Sequence, residues 1–371
     1  MTRFGRFPHR RIEDLGGEAV LGALKDSRAD IDDLAIAFCG NCLSGGNLGQ
    51  RILADVGISG LPTLNVENAC ATGSSAINQA YRGVQAGLYP AALAFGIEQM
   101  SVSVQGLLST DRLGTYEVRM GMVNPGAYAM IAQRHMHEFG TTVEQIASVA
   151  VKAHRHGANN ERAQYRNEIT IEDVRGSKPI AEPMRLYDCC PTGDGAAAVV
   201  LASEEFIRAR ADLGRPVEIL ASVLDGGRAT DAAFGTTNQT VVDVSRRAYE
   251  QSGIGPSDFD VVELHDCFTM AEVMHTEDLG LCAKGEGGPY IASGRTTYGG
   301  DVVVNPSGGL LCKGHPIGAT GVAQACEATW QLRGEAGPRQ VHGARSVLTL
   351  NIGGVAEGLD AAACVVNVFS R

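Results

Sequence analysis

The sequence predicts an α/β protein with two similar halves, in which mostly parallel sheets are covered by helices. Short apolar runs of strand length alternate with helical patterns, which is typical of parallel strands joined by helical crossovers. The alternation stops in the middle of the chain and then resumes. The composition, with 47 glycines among 371 residues and only 5% aromatic residues, favours layers of small and aliphatic side chains that approach closely.

The first half repeats strands and helices, and each apolar run is bounded by turn residues. Its first helix is indicated by Leu15, Ala19 and Leu24, which fall on one side at helical spacing. In chain order the predictions are a helix at 13–25, a strand at 34–39, a helix at about 49–56, a strand at 62–66, a helix of small residues at 74–86 and a strand at 91–96.

The alternation is lost between about 101 and 190, which predicts a region inserted into the first half as a cap. This region contains helical spacing at 127–139 and 141–155, and then a polar segment. We therefore predict an N-terminal half at 1–215 that includes the cap, and a C-terminal half at 216–371.

The alternation resumes with an apolar run at 195–201 and continues to the end of the chain. In each half an apolar strand leads through a small or glycine-rich loop to a helix start, at Cys70 and again at 314–318. This recurrence indicates an internal structural duplication. The further predictions are strands at 217–223, 260–264, 346–351 and 361–368, and helices at 240–252 and from 269 onward.

Charge and composition argue against several classes of protein. A net charge of −11 and a pI near 5.3 disfavour a surface for nucleic acid or for an anionic membrane. No run approaches the roughly 18–20 apolar residues that a membrane-spanning helix needs, and the first residues lack the apolar core of a secretory signal. The ten cysteines are mostly scattered, which predicts reduced thiols in a cytoplasmic protein. Cys39 and Cys42 have metal-ligand spacing without a second pair, so no bound metal is expected.

The segment around Cys70 predicts a thiol at the start of a helix. It follows a predicted strand, and the small residues at 72–75 let a helix begin at once. A helix N-terminus lowers the pKa of a thiol and offers free N–H groups to a developing oxyanion. Most cytosolic cysteines are instead buried as small apolar residues. On this segment alone, a nucleophile and a buried thiol are equally open.

The loop at 314–321 holds His315 beside Pro316, whose φ is fixed, and among glycines that permit close approach. A lone histidine is usually a satisfied core residue. A histidine framed in this way is more typical of a base for a thiol or a donor to an oxygen.

His265 and Cys267 follow an apolar strand, at the position where open parallel sheets place their ligand sites. The alternative is a helix start capped by Asp266, with Cys267 buried. Asn351 and Gly353 also end an apolar strand, where backbone N–H groups form one side of an oxyanion hole or belong to a simple turn. In combination, the two cysteines and two histidines predict a Cys–His acyl-transfer site.

Four motifs carry a resemblance to the thiolase superfamily. They are Asn-Ala-Cys-Ala-Thr-Gly-Ser-Ser at 68–75, His-Asp-Cys-Phe at 265–268, Asn-Pro-Ser-Gly-Gly at 305–309 and Lys-Gly-His-Pro-Ile-Gly-Ala-Thr-Gly at 313–321. The chain most resembles the sterol-carrier-protein-associated branch and its bacterial and archaeal acetyl-CoA acetyltransferase-like relatives. The resemblance covers essentially the whole chain. It implies the thiolase fold, with two similar βαβαβ-type halves in five layers, α-β-α-β-α, and an inserted loop region.

The resemblance also implies roles for individual residues. Cys70 takes the acyl group and His315 activates it, while His265 helps His315 to hold the thioester oxygen, commonly through a water. Cys267 is the second acid/base, acting at the α-carbon of acetyl-CoA. The N–H groups of Cys70 and Gly353 form one oxyanion hole, and His315 belongs to the other.

Two departures from the family pattern stand out. Better-known thiolases have an acid/base cysteine at the position of Asn351, so the resemblance assigns that work to Cys267. Relatives also carry an apolar strand before the segment that matches residues 1–7, central in the first sheet. A chain without it is expected to leave ladder groups unpaired, so either the native start lies upstream or the fold is rearranged locally.

The resemblance implies that the inserted region contributes the CoA site. Positive charge is concentrated there, and phosphate attraction and a solvated helix face are both open interpretations. The residues concerned are Lys152, His154, Arg155, His156, Arg162 and Arg166. The candidates for contact with substrate are Lys152, Arg155, Ser307, Gly308 and Asn351.

The function implied is that of an acyltransferase, which performs reversible Claisen condensation and thiolytic cleavage between acetyl-CoA and an acyl-CoA through an acyl group on Cys70. CoA thioesters are the expected substrates, with no further cofactor. Two alternatives remain: C-acyl transfer to a small non-CoA acceptor in a complex with a zinc-ribbon/OB-fold partner, and a non-catalytic acyl-CoA-binding subunit. A homodimer is expected.

Overall fold

A computed structural model describes residues 1–104, 106, 119–210, 212–230, 234–354 and 359–371. Part of the predicted inserted region therefore lies outside the described residues. None of the helices in the described part of the chain is long and apolar enough to cross a membrane.

The first sheet has four strands in the order β2-β1-β3-β6. Strand β1 is parallel to β2 and β3, whereas β3 and β6 are antiparallel. A separate two-stranded ribbon, β4 and β5, precedes β6. The strands of this part of the chain are β1 (Ile36–Gly40), β2 (Thr63–Val66), β3 (Ala91–Gln99), β4 (Pro179–Ala181), β5 (Met184–Arg185) and β6 (Asp194–Ala202).

The second sheet has five strands in the order β7-β11-β10-β8-β9. Its bounds are β7 (Glu218–Gly226), β8 (Val261–Glu263), β9 (Val303–Val304), β10 (Ser346–Gly353) and β11 (Ala363–Ser370). Strands β8, β9 and β10 run parallel, but β11 is antiparallel to both β10 and β7. The prediction of mostly parallel sheets is therefore wrong at one end of each sheet. A short link from β10 to β11 forces an antiparallel neighbour.

Helices separate and cover the two sheets, and the predicted five layers are present. Helices α3 and α12 contact strands of both sheets and form the middle layer. Helices α1 and α2 cover the outer face of the first sheet, and α9 covers that of the second. The helices are α1 (Ile12–Ser27), α2 (Leu48–Asp55), α3 (Thr72–Gln85), α4 (Met100–Ser103), α5 (Asn124–Phe139), α6 (Val143–Gly157), α7 (Ile171–Gly176), α8 (Glu204–Ala209), α9 (Gln239–Ser252), α10 (Thr269–Asp278), α11 (Gly287–Ala292) and α12 (Thr320–Arg333).

Small side chains fill the space between the layers, as the composition predicted. Ala76 and Ala80 of α3, Ala94 of β3 and Ala323 of α12 are fully buried in one cluster. Small residues let helix and sheet backbones approach closely, so that the middle layer can be shared by both sheets.

The start of the chain pairs with the outer edge of β6 instead of the centre of the first sheet. The Thr2 N–H donates to Ala196 O at 2.9 Å, and Gly5 and Asp194 form an antiparallel bridge. Phe4 is fully buried. Beyond Ala196, β6 has no partner strand on this side within the described residues, and a cavity of about 1220 Å³ runs along it. The strand expected at the centre of the first sheet would precede residue 1, so its position stays a prediction.

Candidate active site

Cys70 lies where a strand passes into a helix, as the sequence predicted. It belongs to a single 3-10 turn, Ala69–Ala71, and α3 begins at the next residue, Thr72. Ala69 has φ 45°, a left-handed conformation that an alanine rarely adopts. The Thr72 hydroxyl accepts the Asn68 N–H at 2.8 Å. This turn fixes the direction of the Cys70 side chain.

Glycines bring the loop that carries His315 against the start of α3. The carbonyl oxygen of Gly318 lies where a side chain on Gly73 or Gly96 would stand, since a Cβ added at those positions would be 2.9 Å or 2.1 Å from it. A Cβ on Gly40 would also come within 3.1 Å of the same oxygen. The close approach of the two halves therefore depends on residues without side chains.

His315 is held in one tautomer. Its Nδ1 lies 2.7 Å from the Thr320 hydroxyl, which itself donates to Pro316 O at 3.0 Å. The hydroxyl hydrogen is thus already used, so Nδ1 carries the proton and donates to Thr320. Nε2 keeps a free lone pair and has no partner among the described residues. Burial lowers the pKa of His315 to about 3, so the imidazole is neutral at physiological pH.

His265 lies next to His315, with the ring centroids 5.4 Å apart and the rings in a T-shaped arrangement. Both ring nitrogens of His265 are buried and have no hydrogen-bond partner in the part of the chain that the structure describes. Burial, together with the neighbouring His315, lowers its pKa well below the usual range. One ligand atom each from Cys70, His265 and His315 lie within 4.8 Å of one another.

The resting pair of Cys70 and His315 is uncharged. Burial raises the pKa of the Cys70 thiol to about 12, although the N–H of Gly354 stabilises its thiolate. A thiol with a high pKa beside an imidazole with a low one keeps its proton until a reaction begins. The arrangement can therefore supply general-base activation at the moment of attack, rather than a standing thiolate.

Cys267 lies near Cys70 but has different neighbours. It is 7% exposed, and burial raises its pKa. A Tyr128 hydroxyl that can donate to the Cys267 thiolate opposes this rise, while the negative charge of a Cys70 thiolate would add to it. The Tyr128 ring stacks on Phe268 at 4.4 Å. Cys190 joins the cluster, since its N–H donates to Cys267 O at 3.0 Å.

Sequence reasoning missed Tyr128 and Cys190. Tyr128 lies in α5, a helix that was predicted, but nothing in the local pattern shows that one of its side chains reaches Cys267. Cys190 lies at the end of the predicted inserted region, where no sequence pattern gave it a role. Glu98 was also missed: its buried carboxylate accepts the N–H groups of Cys42 at 2.9 Å and Leu43 at 3.0 Å.

The turn after β9 holds the loop of His265 and Cys267 in place. Asn305, at φ 53°, accepts the N–H of Leu264 on its side-chain oxygen at 2.9 Å. The N–H of Leu310 donates to Asp266 at 2.7 Å. The residues of the motif at 305–309 therefore support the loop from behind.

Ser307 and Gly308 do not lie where the sequence analysis expected them. Ser307 is fully buried, and its hydroxyl donates to Glu263 at 2.7 Å. A Cβ on Gly308 would come within 2.7 Å of the backbone of Gly157, so this glycine permits close packing of α6. These placements argue against direct substrate contacts and correct that expectation.

Lys152 and Arg155 occupy different environments, although they lie on the same helix. Lys152 is buried and forms an ion pair with Glu272, which is also buried. An ammonium committed in this way is unavailable to a phosphate, which corrects the prediction for Lys152. Arg155 is exposed, and it donates to the Thr297 hydroxyl at 2.7 Å. Arg155 stays a candidate for contact with CoA.

Asn351 faces the start of α3 from β10. Its side-chain oxygen accepts a hydrogen bond from Ser74, and its Nδ2 is buried without a partner among the described residues. The free amide hydrogens suit a role in binding substrate or water. Gly353 lies so close to Asn68 O that a Cβ there would be 2.1 Å away, and the role of its N–H in an oxyanion hole stays a prediction.

Comparisons with known proteins agree with the fold. A family model described as "Thiolase, N-terminal domain" matches residues 1–205, and one described as "Thiolase C-terminal domain-like" matches residues 228–366. An acetyl-CoA acetyltransferase of Methanothermobacter thermautotrophicus is 40% identical, over 100% of this chain and 97% of the relative.

Two further matches come from different kinds of protein. Sterol carrier protein 2 of Oryctolagus cuniculus is 38% identical, over 95% of this chain and 68% of its own length. A solved structure titled "Ltp2-ChsH2(DUF35) aldolase" has a TM-score of 0.84 and 27% identity, covering 99% of this chain and 95% of that chain. The predicted thiolase fold is confirmed. The chain belongs to the thiolase family, as its motifs indicated, and is an acyltransferase.

Proposed function

We propose that this enzyme catalyses reversible Claisen condensation and thiolytic cleavage between acetyl-CoA and an acyl-CoA, through an acyl group on Cys70. The observation that carries the proposal is the cluster of Cys70, His265 and His315 within 4.8 Å, with Cys267 beside it. The 40% identical relative named acetyl-CoA acetyltransferase supports the same reaction. No cofactor beyond the CoA thioesters is needed.

Acylation begins when the Cys70 sulfur attacks the thioester carbonyl. Nε2 of His315 takes the thiol proton as the C–S bond forms, and the carbonyl oxygen becomes an oxyanion. The N–H groups of Cys70 and Gly353 are the proposed donors to that oxyanion. When the tetrahedral intermediate collapses, the bond to the CoA sulfur breaks. His315 then returns the proton to the leaving CoA thiolate.

Condensation requires a carbanion at the α-carbon of acetyl-CoA. In this step the Cys267 thiol first gives its proton to solvent, and the thiolate then removes an α-proton. His265 donates a hydrogen bond to the enolate oxygen, and His315 reaches that oxygen through a water, because its Nε2 carries a lone pair. The carbanion attacks the acyl carbon, the bond to Cys70 breaks, and the Cys70 thiolate takes up a proton from solvent. In the thiolytic direction the Cys267 thiol instead protonates the departing enolate. Its raised pKa suits this acid role, because the group is protonated at rest.

The test is thiolysis of acetoacetyl-CoA by CoA, followed as loss of the absorbance of the thioester enolate. Mass spectrometry of peptides from protein quenched during turnover should find the acyl group on Cys70. The matched control is Cys282→Ser, because Cys282 is partly exposed on a turn after α10 and has no described contact with the cluster. If the protein neither turns over nor acylates Cys70, the proposal is wrong.

A second candidate keeps the acyl-Cys70 intermediate but changes the acceptor. The solved structure with a TM-score of 0.84 is titled as an aldolase of two components, Ltp2 and ChsH2(DUF35). This favours a partner-dependent reaction, in which a small non-CoA molecule receives the acyl group within a complex with a zinc-ribbon/OB-fold protein. Acylation of Cys70 without thiolysis would support this candidate, and full thiolysis by the isolated chain would remove the need for it.

A non-catalytic acyl-CoA-binding subunit is disfavoured by the same cluster. Such a subunit needs neither a base with a fixed tautomer nor a second thiol beside the first. We further propose that the protein is a cytoplasmic homodimer. Light scattering after size-exclusion chromatography measures its mass in solution, and a single species at the chain mass of 38.9 kDa would contradict the dimer.

A further inference from the structure

Cys70, His265 and His315 offer a complete set of three soft metal ligands. Their ligand atoms all lie within 4.8 Å of one another. Tetrahedral Zn²⁺, with bonds of about 2.0–2.3 Å, separates its ligand atoms by roughly 3.3–3.7 Å. Shifts of about 1 Å at the side-chain ends are therefore enough to close the site. No other group of this kind occurs in the ranges that the structure describes.

The histidines are available to an ion. In the described part of the chain neither nitrogen of His265 has a partner, and neither has Nε2 of His315, although both residues are only 3% exposed. Nδ1 of His315 donates to Thr320, which is the outer contact that commonly orients a metal-bound imidazole. Two buried imidazoles, with three ring nitrogens that have no partner among the described residues, converge on one thiol and form a preorganised site.

From this geometry we propose that the cluster of Cys70, His265 and His315 binds Zn²⁺ or a similarly soft divalent ion, and that this binding reversibly blocks the enzyme. A sulfur and two imidazole nitrogens favour Zn²⁺ over Mg²⁺ or Ca²⁺, which prefer oxygen ligands. Binding breaks the S–H bond of Cys70, forms a Zn–S bond and releases one proton to solvent. A water or an external thiol takes the fourth position.

The block follows from which lone pairs the ion occupies. Metal binding uses the sulfur lone pair that attacks the thioester and the Nε2 lone pair that accepts the thiol proton. The inhibitory effect rests on the proposed function, because it assumes that Cys70 carries the acyl group. The site itself does not, since it depends only on the three ligand atoms.

The test uses Co²⁺ as a spectroscopic probe, with the full-length, reduced protein. Binding should produce a thiolate-to-cobalt charge-transfer band and the intense visible bands of a tetrahedral ion, and Zn²⁺ should displace both. Cys70→Ser should abolish the charge-transfer band. His265→Ala and His315→Ala should each weaken binding by at least about tenfold. Cys282→Ser and His137→Ala, which change partly exposed or exposed residues elsewhere, should bind as the parent does.

Inhibition is measured separately, as thiolysis with increasing Zn²⁺ and then with a chelator. Full recovery with the chelator is expected, as is protection when Cys70 is already acylated. A cobalt spectrum that survives Cys70→Ser overturns the proposal, and so does the absence of any such spectrum. An active enzyme without a cobalt spectrum loses only the metal site, whereas a cobalt spectrum in a protein without turnover removes only the proposed function.

Discussion

The two cysteines of the site, Cys70 and Cys267, each lie shortly before a helix, and they have different neighbours. Cys70 lies just before α3 and is partly exposed. It faces two imidazoles, of which only Nδ1 of His315 has a partner among the described residues. Cys267 follows β8, is buried and has the Tyr128 hydroxyl as its neighbour. Burial raises the pKa of both thiols, so burial alone does not separate their roles.

The residues next to each thiol distinguish the roles of Cys70 and Cys267. A base beside Cys70 lets its sulfur attack as the proton leaves, which is what a nucleophile needs. A hydroxyl donor beside Cys267 stabilises its thiolate without taking the proton, which suits a group that gives and recovers a proton. The comparison teaches that in this site the partner of each thiol indicates its task better than its pKa does.

The largest expected effect comes from Cys70→Ala. Without the sulfur no acyl-enzyme forms, so thiolysis should fall by roughly 10⁴-fold or more. Turnover is measured with acetoacetyl-CoA and CoA, and covalent labelling by mass spectrometry of the intact protein. Labelling that persists at another cysteine would break the assignment of Cys70 as the nucleophile.

Cys267→Ala should separate the two thiols. The variant keeps the nucleophile and its base, so Cys70 should still be acylated by acetyl-CoA. Condensation should fall by about 10²–10⁴-fold, because the proton transfer at the α-carbon is lost. Acylation is followed by mass spectrometry and condensation by formation of acetoacetyl-CoA. Equal loss of acylation and condensation would mean that the two thiols do not have separate tasks.

The surroundings of Cys70 could be predicted from the sequence, because the motifs that define them are local. A strand, small residues and a helix start follow one another around Cys70, and Pro316 with its glycines frames His315 within a few residues. The surroundings of Cys267 were not accessible. Tyr128 reaches it from a different helix, and no pattern of spacing records a contact between residues so far apart in the chain.

The expectations for Lys152, Ser307 and strand direction were wrong for the same reason, because each depends on contacts between residues far apart in the chain. The sequence pattern around a helical lysine is the same whether its ammonium is solvated or paired with a distant carboxylate. The ion pair of Lys152 with Glu272 could therefore not be predicted from the sequence. Ser307 belongs to a real motif, but its hydroxyl supports Glu263 behind the site. The directions of β6 and β11 were not predicted, because an apolar run predicts burial but gives no information about the direction of the neighbouring strand.

The Cys70 side depends on close contact between the halves, and Gly96→Ala tests this. The added methyl group would lie 2.1 Å from Gly318 O, so the free energy of unfolding should fall by about 1–3 kcal/mol. Gly22→Ala is the control, because it lies within α1 with nothing within 4 Å, and it should gain up to about 1 kcal/mol. Urea denaturation measures both, and equal stability of the two variants would contradict the proposed contact.

Tyr128→Phe tests the Cys267 side with a small change. The ring keeps its stacking on Phe268, and only the hydroxyl that can donate to the Cys267 thiolate is lost. Condensation should slow by roughly tenfold to a hundredfold, as expected for a hydrogen bond to a charged group, with Cys70 acylation unchanged. Tyr249→Phe removes a hydroxyl that donates to Leu279 O instead and should have no such effect. A slower acylation step in Tyr128→Phe would mean that the Tyr128 hydroxyl acts on Cys70 and not on Cys267.

The smallest expected effect is that of pH on the Cys70 side. An exposed imidazole with a pKa near 6.5 becomes charged as the pH falls from 7 to about 5 and ceases to act as a base. Burial lowers the pKa of His315 to about 3, so it stays neutral over this interval. The single-turnover rate of Cys70 acylation should therefore change by less than about twofold, at pH values where circular dichroism shows the protein folded. If the acylation rate instead falls to half near pH 6.5, the imidazole that acts as the base is exposed to solvent in the working enzyme. The contrast between a buried base at Cys70 and a hydroxyl donor at Cys267 would then not explain their different tasks.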